Sequence, residues 1–123
     1  MTNRESLRCV IVDDNADFLA AATALLEQGG IRVVGTAQSV SDGLHTVELL
    51  HPDIALVDVN LGDEYGFDLV DQLSSLAGTA DVTAILISTF TDLPADDLVT
   101  ATTTPRFLPK LDLSANAIRD IID

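Results

Sequence analysis

Positive charge is what this sequence has least of. Six basic residues stand against 20 acidic ones, a net charge of −14. DNA and anionic membranes are gripped through positive patches, so no direct contact with nucleic acid or membrane is expected of these residues. The acidic excess serves solubility and also suits a cation site or a basic partner. Cysteine is limited to Cys9, which cannot form an internal disulfide. It lies in an apolar run, reads as a small core residue, and fits a reducing compartment. Aromatic residues are only 4% of the chain, so the core must be aliphatic. No apolar run approaches membrane-spanning length, and none precedes Asp13 that could act as a signal peptide. The cytoplasm is the expected location.

What the chain does have is 123 residues, 47% of them apolar. That suits one domain with a real core and opposes general disorder. Residues 1–6 are polar and read as a flexible N-terminus, leaving 7–123 as the domain. Leu7–Val12 predicts a first strand, stopped by Asp13-Asp14. Asn15 or Asp14 can cap a helix whose apolar face is Phe18, Leu19, Ala22, Leu25 and Leu26. Gly29-Gly30 ends it. Ile31–Gly35 predicts a second strand. Ser39 or Ser41 starts a second helix with Val40, Leu44, Val47 and Leu50 (or Leu49) on one side, and Pro52 stops it.

Next comes D-I-A-L-V-D-V-N at Asp53–Asn60. Its run Ile54–Val57 suits a strand buried on both faces, with Asp58 at its carboxyl end. Gly62 and Gly66 flank an acidic loop. Phe67, Leu69, Val70, Leu73 and Leu76 predict a third helix ending at Gly78. Val82–Ile87 predicts a fourth strand, followed by Ser88-Thr89. Residues 91–104 permit a short, fraying fourth helix: Pro94 suits a first turn, but Thr100 and Thr102–Thr104 are poor helix formers. Arg106–Pro109 predicts a fifth strand with Lys110 directly after it. Ser114 can cap a last helix bearing Ala117, Ile118, Ile121 and Ile122. Five alternating β-α units predict a mainly parallel sheet covered by helices on both faces, in the α/β class.

In such a sheet the carboxyl ends of the strands share one edge. Asp13-Asp14, Asp58, Ser88 and Lys110 all fall at those ends. Singly they say little. An Asp-Asp pair is usually a cap and loop start, and a lysine after a strand is usually solvated. Together they converge. Two carboxylates held at roughly 5 Å repel by about 3 kcal/mol at an effective dielectric near 20, so the cluster must bind a cation or take up protons. Oxygen ligands without histidine or cysteine favour Mg²⁺. Asp14 and Asp58 are the expected direct ligands, with Asp13 acting through water and the Asn60 backbone carbonyl completing the set. Lys110 and the Ser88 hydroxyl can stabilise a transferring phosphoryl group. Asp58 is the expected nucleophile, forming an acyl phosphate.

These motifs resemble the receiver (response regulator) domain of two-component signalling. The matching segments are V-D-D at Val12–Asp14, L-V-D-V-N at Leu56–Asn60, L-I-S-T at Leu86–Thr89 and F-L-P-K at Phe107–Lys110. Their intervals match too, over essentially the whole chain, and the wording is closest to the NarL/LuxR-like branch. The resemblance implies a doubly wound (βα)₅, flavodoxin-like three-layer sandwich with strand order 2-1-3-4-5. It implies Asp58 as phosphoacceptor, Asp13 and Asp14 as the acidic pair for Mg²⁺, Ser88 as switch hydroxyl and Phe107 as the aromatic switch. It also implies a sensor histidine kinase as donor. The expected output is a partner or an attached DNA-binding domain not in this chain, reached through the face of the fourth helix, fifth strand and last helix. That face is also where a homodimer would form.

Some residues depart from the family pattern. Gly62 replaces the usual proline, which predicts a more mobile loop. Thr89 replaces a small residue and is expected to crowd the site, Arg106 replaces a glycine, and Phe107 lacks a hydroxyl. Phe90 lies two residues after Ser88, near the path of attacking water in this family. It predicts slow self-dephosphorylation, the only turnover expected beyond self-phosphorylation from a donor. Two other functions compete with this one. The first is a phosphorylation-independent pseudo-receiver module. The second is a Mg²⁺-dependent aspartyl-nucleophile phosphatase, which Asn60 disfavours because it cannot replace the second acid of a D-x-D pair.

Overall fold

A computed structural model describes residues 7–62, 64–75, 82–88, 106–110 and 113–122, apart from the side chains of Ser74, Arg106 and Phe107. In chain order the elements are β1 (Arg8–Val12), α1 (Ala16–Gln28), β2 (Arg32–Ala37), α2 (Val40–Leu50), β3 (Ile54–Asp58), β4 (Asn60–Leu61), β5 (Glu64–Tyr65), α3 (Gly66–Ser75), β6 (Thr83–Ser88), β7 (Arg106–Pro109) and α4 (Ala115–Ile122). The expected fourth helix at 91–104, the 1–6 terminus, Leu76 and Gly78 lie outside the described residues.

β3 is buried along its whole length, as its unbroken apolar run requires of a strand covered on both sides. β1 and β6 flank it, and β2 and β7 form the edges. All four pairings are parallel. The order β2-β1-β3-β6-β7 is the expected 2-1-3-4-5 once the two short strands outside this sheet are set aside.

Strand alternation divides the core into two layers. Cys9, Ile11, Ile54, Leu56, Ile85 and Ile87 point toward α1 and α4, where Leu19, Ala22, Leu26 and Ile118 meet them. Val10, Val12, Ala55, Val57 and Leu86 point toward α2 and α3, against Val47, Leu69 and Leu73. Each fully buried Leu or Ile contributes about 1.5–3 kcal/mol, so an aliphatic core suffices without tryptophan.

Helix starts follow the expected capping chemistry. Asn15 Oδ1 accepts from the Asp17 and Phe18 amides, and Ser39 Oγ accepts from Asp42. Ser114 Oγ accepts from Ala117. One predicted face residue turns outward: Leu25 is 43% exposed, because Leu19, Ala22 and Leu26 already fill the narrow inward stripe. In α2 it is Leu50 that packs against the core, while its alternative Leu49 is 69% exposed. Burial makes Cys9 a core thiol, its pKa pushed up to about 12, with a weaker opposing effect from the Leu56 backbone.

The stretch after β3 differs most from expectation. Instead of an irregular loop it contains a small antiparallel hairpin, Asn60 opposite Tyr65 and Leu61 opposite Glu64. Gly62 takes the left-handed φ of +75° that the reversal needs. Glu64 Oε1 then accepts from the Val40 amide at 2.9 Å, tying the hairpin to the first turn of α2.

Candidate functional site

Register alone brings the polar strand ends together. Val12 pairs with Val57, so Asp13 falls beside Asp58. Asp58 pairs with Ile87, putting Ser88 one step beyond it. Ser88 pairs with Pro109, and Lys110 is next in the chain. Alternation aims Asp13 and Asp58 to the α1 side with Ile11 and Leu56, and Lys110 follows Leu108 to the same side.

Asp13, Asp14 and Asp58 each offer a carboxylate oxygen, and the three lie within 4.8 Å of one another. Asp13 is fully buried and Asp58 is 4% exposed, whereas Asp14 faces solvent. Lys110 Nζ lies 2.7 Å from Asp13 Oδ2 and 3.3 Å from Asp58 Oδ2. The Asp13 contact is an ion pair whose direction does not make an aligned hydrogen bond at Oδ2. Backbone amides hold the other oxygens: Asn15 N–H donates to Asp13 Oδ1 at 2.8 Å, and Asn60 N–H to Asp58 Oδ1 at 3.2 Å.

Electrostatics follow from this packing. Burial, reinforced by the Asp13 charge, raises the Asp58 pKa to about 6, against the opposing pull of Lys110 and the Asn60 amide. Burial alone would lower the Lys110 pKa, but the Asp13 contact and the Asp58 charge outweigh it and the pKa rises. Lys110 therefore stays an ammonium at neutral pH. With all three acids ionised, the cluster carries two negative charges beyond what Lys110 neutralises. The buried Ser88 hydroxyl has no hydrogen-bond partner among the described residues. That is a costly state for a polar group, which points to a role in binding.

Gly66 supports the site from behind. A Cβ there would collide with the Asp58 carbonyl oxygen and lie 2.9 Å from Val57 Cγ1. Its amide donates to Val59 O at 2.8 Å, so α3 begins against the end of β3. Phe18 is the site neighbour that sequence pattern assigned only to the core. Its ring centroid is 4.3 Å from Lys110 Nζ. Helical periodicity found its position, but nothing local in the sequence signals the cation above it. Thr89 and Phe90 lie outside the described residues, as does the Phe107 ring; the Phe107 backbone pairs with Leu86. A cleft of about 420 Å³ lined by His51, Asp53, Ile54, Val82, Thr83 and Ile122 opens at the opposite edge of the sheet, away from these groups.

A doubly wound sheet with acids, a hydroxyl and a lysine at its carboxyl edge defines a receiver-type α/β domain. The chain belongs to the response regulator receiver domain family, whose model matches residues 9–119. It is 26% identical over 102 residues to the nitrate/nitrite response regulator protein NarL of Escherichia coli K12, covering 82% of this chain and 45% of that protein. It is 31% identical over 86 residues to protein-glutamate methylesterase/protein-glutamine glutaminase 1 of Methanosarcina acetivorans, 69% of this chain and 24% of that protein. The chain thus spans less than half the length of either relative. Among solved structures it is similar to the signal receiver domain of a NarL response regulator from Mycobacterium tuberculosis, with TM-score 0.79 and 25% identity over 94% of this chain and 95% of that one. A CheY-like receiver domain from Methylobacillus flagellatus gives TM-score 0.75 and 25% identity over the same shares. Among the described residues, no helix is long and apolar enough to cross a membrane.

Proposed function

We propose that this chain is a phosphoacceptor receiver, which takes a phosphoryl group from a histidine kinase onto Asp58 in the presence of Mg²⁺. The observation that carries the reading is a buried carboxylate flanked by two more acids and 3.3 Å from an ammonium. Asp58 is the nucleophile. With a pKa near 6 it is mainly ionised at neutral pH yet poorly solvated, so its oxygens are accessible to phosphorus rather than masked by water. A carboxylate oxygen attacks the phosphorus of a phosphohistidine. The P–O bond to Asp58 forms as the P–N bond breaks, and the imidazole leaves with the electron pair.

The donor set fits Mg²⁺: three hard carboxylates with surplus negative charge. Asp13, Asp14, Asp58 and the Asn60 carbonyl would hold it, and when bound it supplies charge neutralisation at the phosphoryl oxygens. Lys110 brings a second positive charge on a flexible stem and can turn from Asp13 toward the new phosphoryl group. The Ser88 hydroxyl, without a partner among the described residues, donates to one of its oxygens.

The modification adds up to about two negative charges in a nearly dry site. Ser88 moves toward them, carrying the Thr89 segment, and Phe107 fills the vacated space. The face of residues 91–104, β7 and α4 changes shape and controls an output partner, an attached DNA-binding domain or a second copy of the chain. Residues 7–123 act as one cytoplasmic receiver unit, and the chain does no chemistry on other substrates. Incubation with acetyl phosphate and Mg²⁺ tests this by intact mass. A gain of one phosphoryl group, absent in Asp58→Asn, is expected. An unmodified wild-type chain would overturn the reading in favour of a phosphorylation-independent module.

A further inference from the structure

Among the described residues, Lys110 has three neighbours around its ammonium. Asp13 and Asp58 hold it by charge, and the face of Phe18 lies on a third side at 4.3 Å, inside cation–π range. The contacts close into a ring. Asp13 Oδ1 accepts from the Asn15 amide, Asn15 Oδ1 accepts from the Phe18 amide, the Phe18 ring faces Lys110, and Lys110 returns to Asp13. One polar cap therefore fixes both the buried acid and the aromatic ring relative to the same ammonium. Phe18 is only half-buried, while Leu19, Ala22 and Leu26 carry the packing of α1 against the sheet.

We infer that Phe18 is a positioning residue for Lys110: its ring keeps the ammonium at the carboxylate cluster when a divalent cation draws off Asp13 and Asp58. This rests on the reading of Lys110 as the lysine that meets the phosphoryl group. A cation taken up by the three acids neutralises the charge that holds Lys110 and repels the ammonium itself. A four-carbon stem with only carboxylate partners would then swing into water. The ring's attraction is to its quadrupole, which a metal bound at the acids does not cancel. A fourth carboxylate in place of Phe18 would hold Lys110 too, but would add to the repulsion and compete with the phosphoryl oxygens. A neutral aromatic face does neither.

Lys110 is the only lysine in the sequence, which makes the test direct. In protein carrying isotope-labelled lysine, one set of side-chain resonances reports this residue. Its ε-methylene protons should be shifted upfield by the ring, with and without Mg²⁺. Phe18→Tyr should keep the displacement and phosphorylate within about twofold of wild type. Phe18→Leu should abolish the displacement and slow phosphorylation by acetyl phosphate about fivefold at saturating Mg²⁺, the size of one partly desolvated cation–π contact. A ring that merely packed would let the ammonium leave once Mg²⁺ is added, so the wild-type displacement would vanish, and the leucine variant would lose melting temperature but not phosphorylation rate. Loss of the wild-type displacement on adding Mg²⁺, or wild-type phosphorylation by Phe18→Leu, would overturn the inference. Failure of wild type itself to accept phosphate would instead sink the receiver mechanism on which it rests.

Discussion

Removing the Asp58 charge should make the resting domain more stable, although it abolishes the proposed function. Asp58 is buried beside Asp13, and burial raises its pKa to about 6 against an ordinary 3.8. The folded state therefore binds the proton more tightly than the unfolded chain. Between these two values the folded state holds more protons, so stability falls as pH rises through the window. Below about pH 4 both states are protonated and the charge has no effect. Above about pH 6 the full destabilisation is present, about 2–3 kcal/mol from a shift of roughly two pH units. Asp58→Asn keeps the shape without the charge. At pH 7.5 without divalent cations it should melt roughly 8–12 °C above wild type, and the gap should close toward pH 4. Adding Mg²⁺ should raise wild type more than the variant, because an ion that binds only the folded state stabilises it by mass action. Thermal melting followed by circular dichroism at several pH values measures all three. An asparagine variant less stable than wild type at pH 7.5 would show that Lys110 over-compensates Asp58, and the electrostatic account would be wrong.

Other substitutions give equally definite outcomes. Gly66→Ala should destabilise by about 3 kcal/mol in urea titration, because the new Cβ meets the Asp58 carbonyl and the start of α3 cannot retreat without losing its bond to Val59; an unchanged midpoint would mean that this close approach is not rigid. Ser88→Ala should push stability and function in opposite directions. Losing a buried hydroxyl that has no partner among the described residues should stabilise the resting domain by about 1 kcal/mol on melting, while the rate of phosphorylation falls about tenfold. A destabilised alanine variant would reveal a bond to Ser88 in the resting state.

How much of this was legible in the residues depends on what carries each feature. β3 was readable because four apolar residues between Pro52 and Asp58 leave few alternatives, and parallel pairing then fixes which strand ends meet. The convergence of Asp13, Asp14, Asp58 and Lys110 needed only that topology. Caps at Asn15, Ser39 and Ser114 were readable because their side chains act within three residues. The β4–β5 hairpin was not, since two-residue strands have no periodicity and are held by a left-handed Gly62 and by the Glu64 contact with α2. Leu25 reads as inward because helical spacing gives a face but not its width. Phe18 reads as core by the same spacing, and it does pack against the core. That its ring lies under Lys110 depends on residues 92 positions apart, which no local pattern encodes.

The central claim concerns a single atom group, so the decisive measurement is one of position. Protein treated with acetyl phosphate and Mg²⁺ can be reduced with borohydride, which converts an aspartyl phosphate to homoserine, and then digested and sequenced by mass spectrometry. Homoserine at position 58 alone is the predicted result. Homoserine at Asp13 or Asp14, or at no aspartate despite a gain in intact mass, would contradict the assignment of Asp58 as the acceptor.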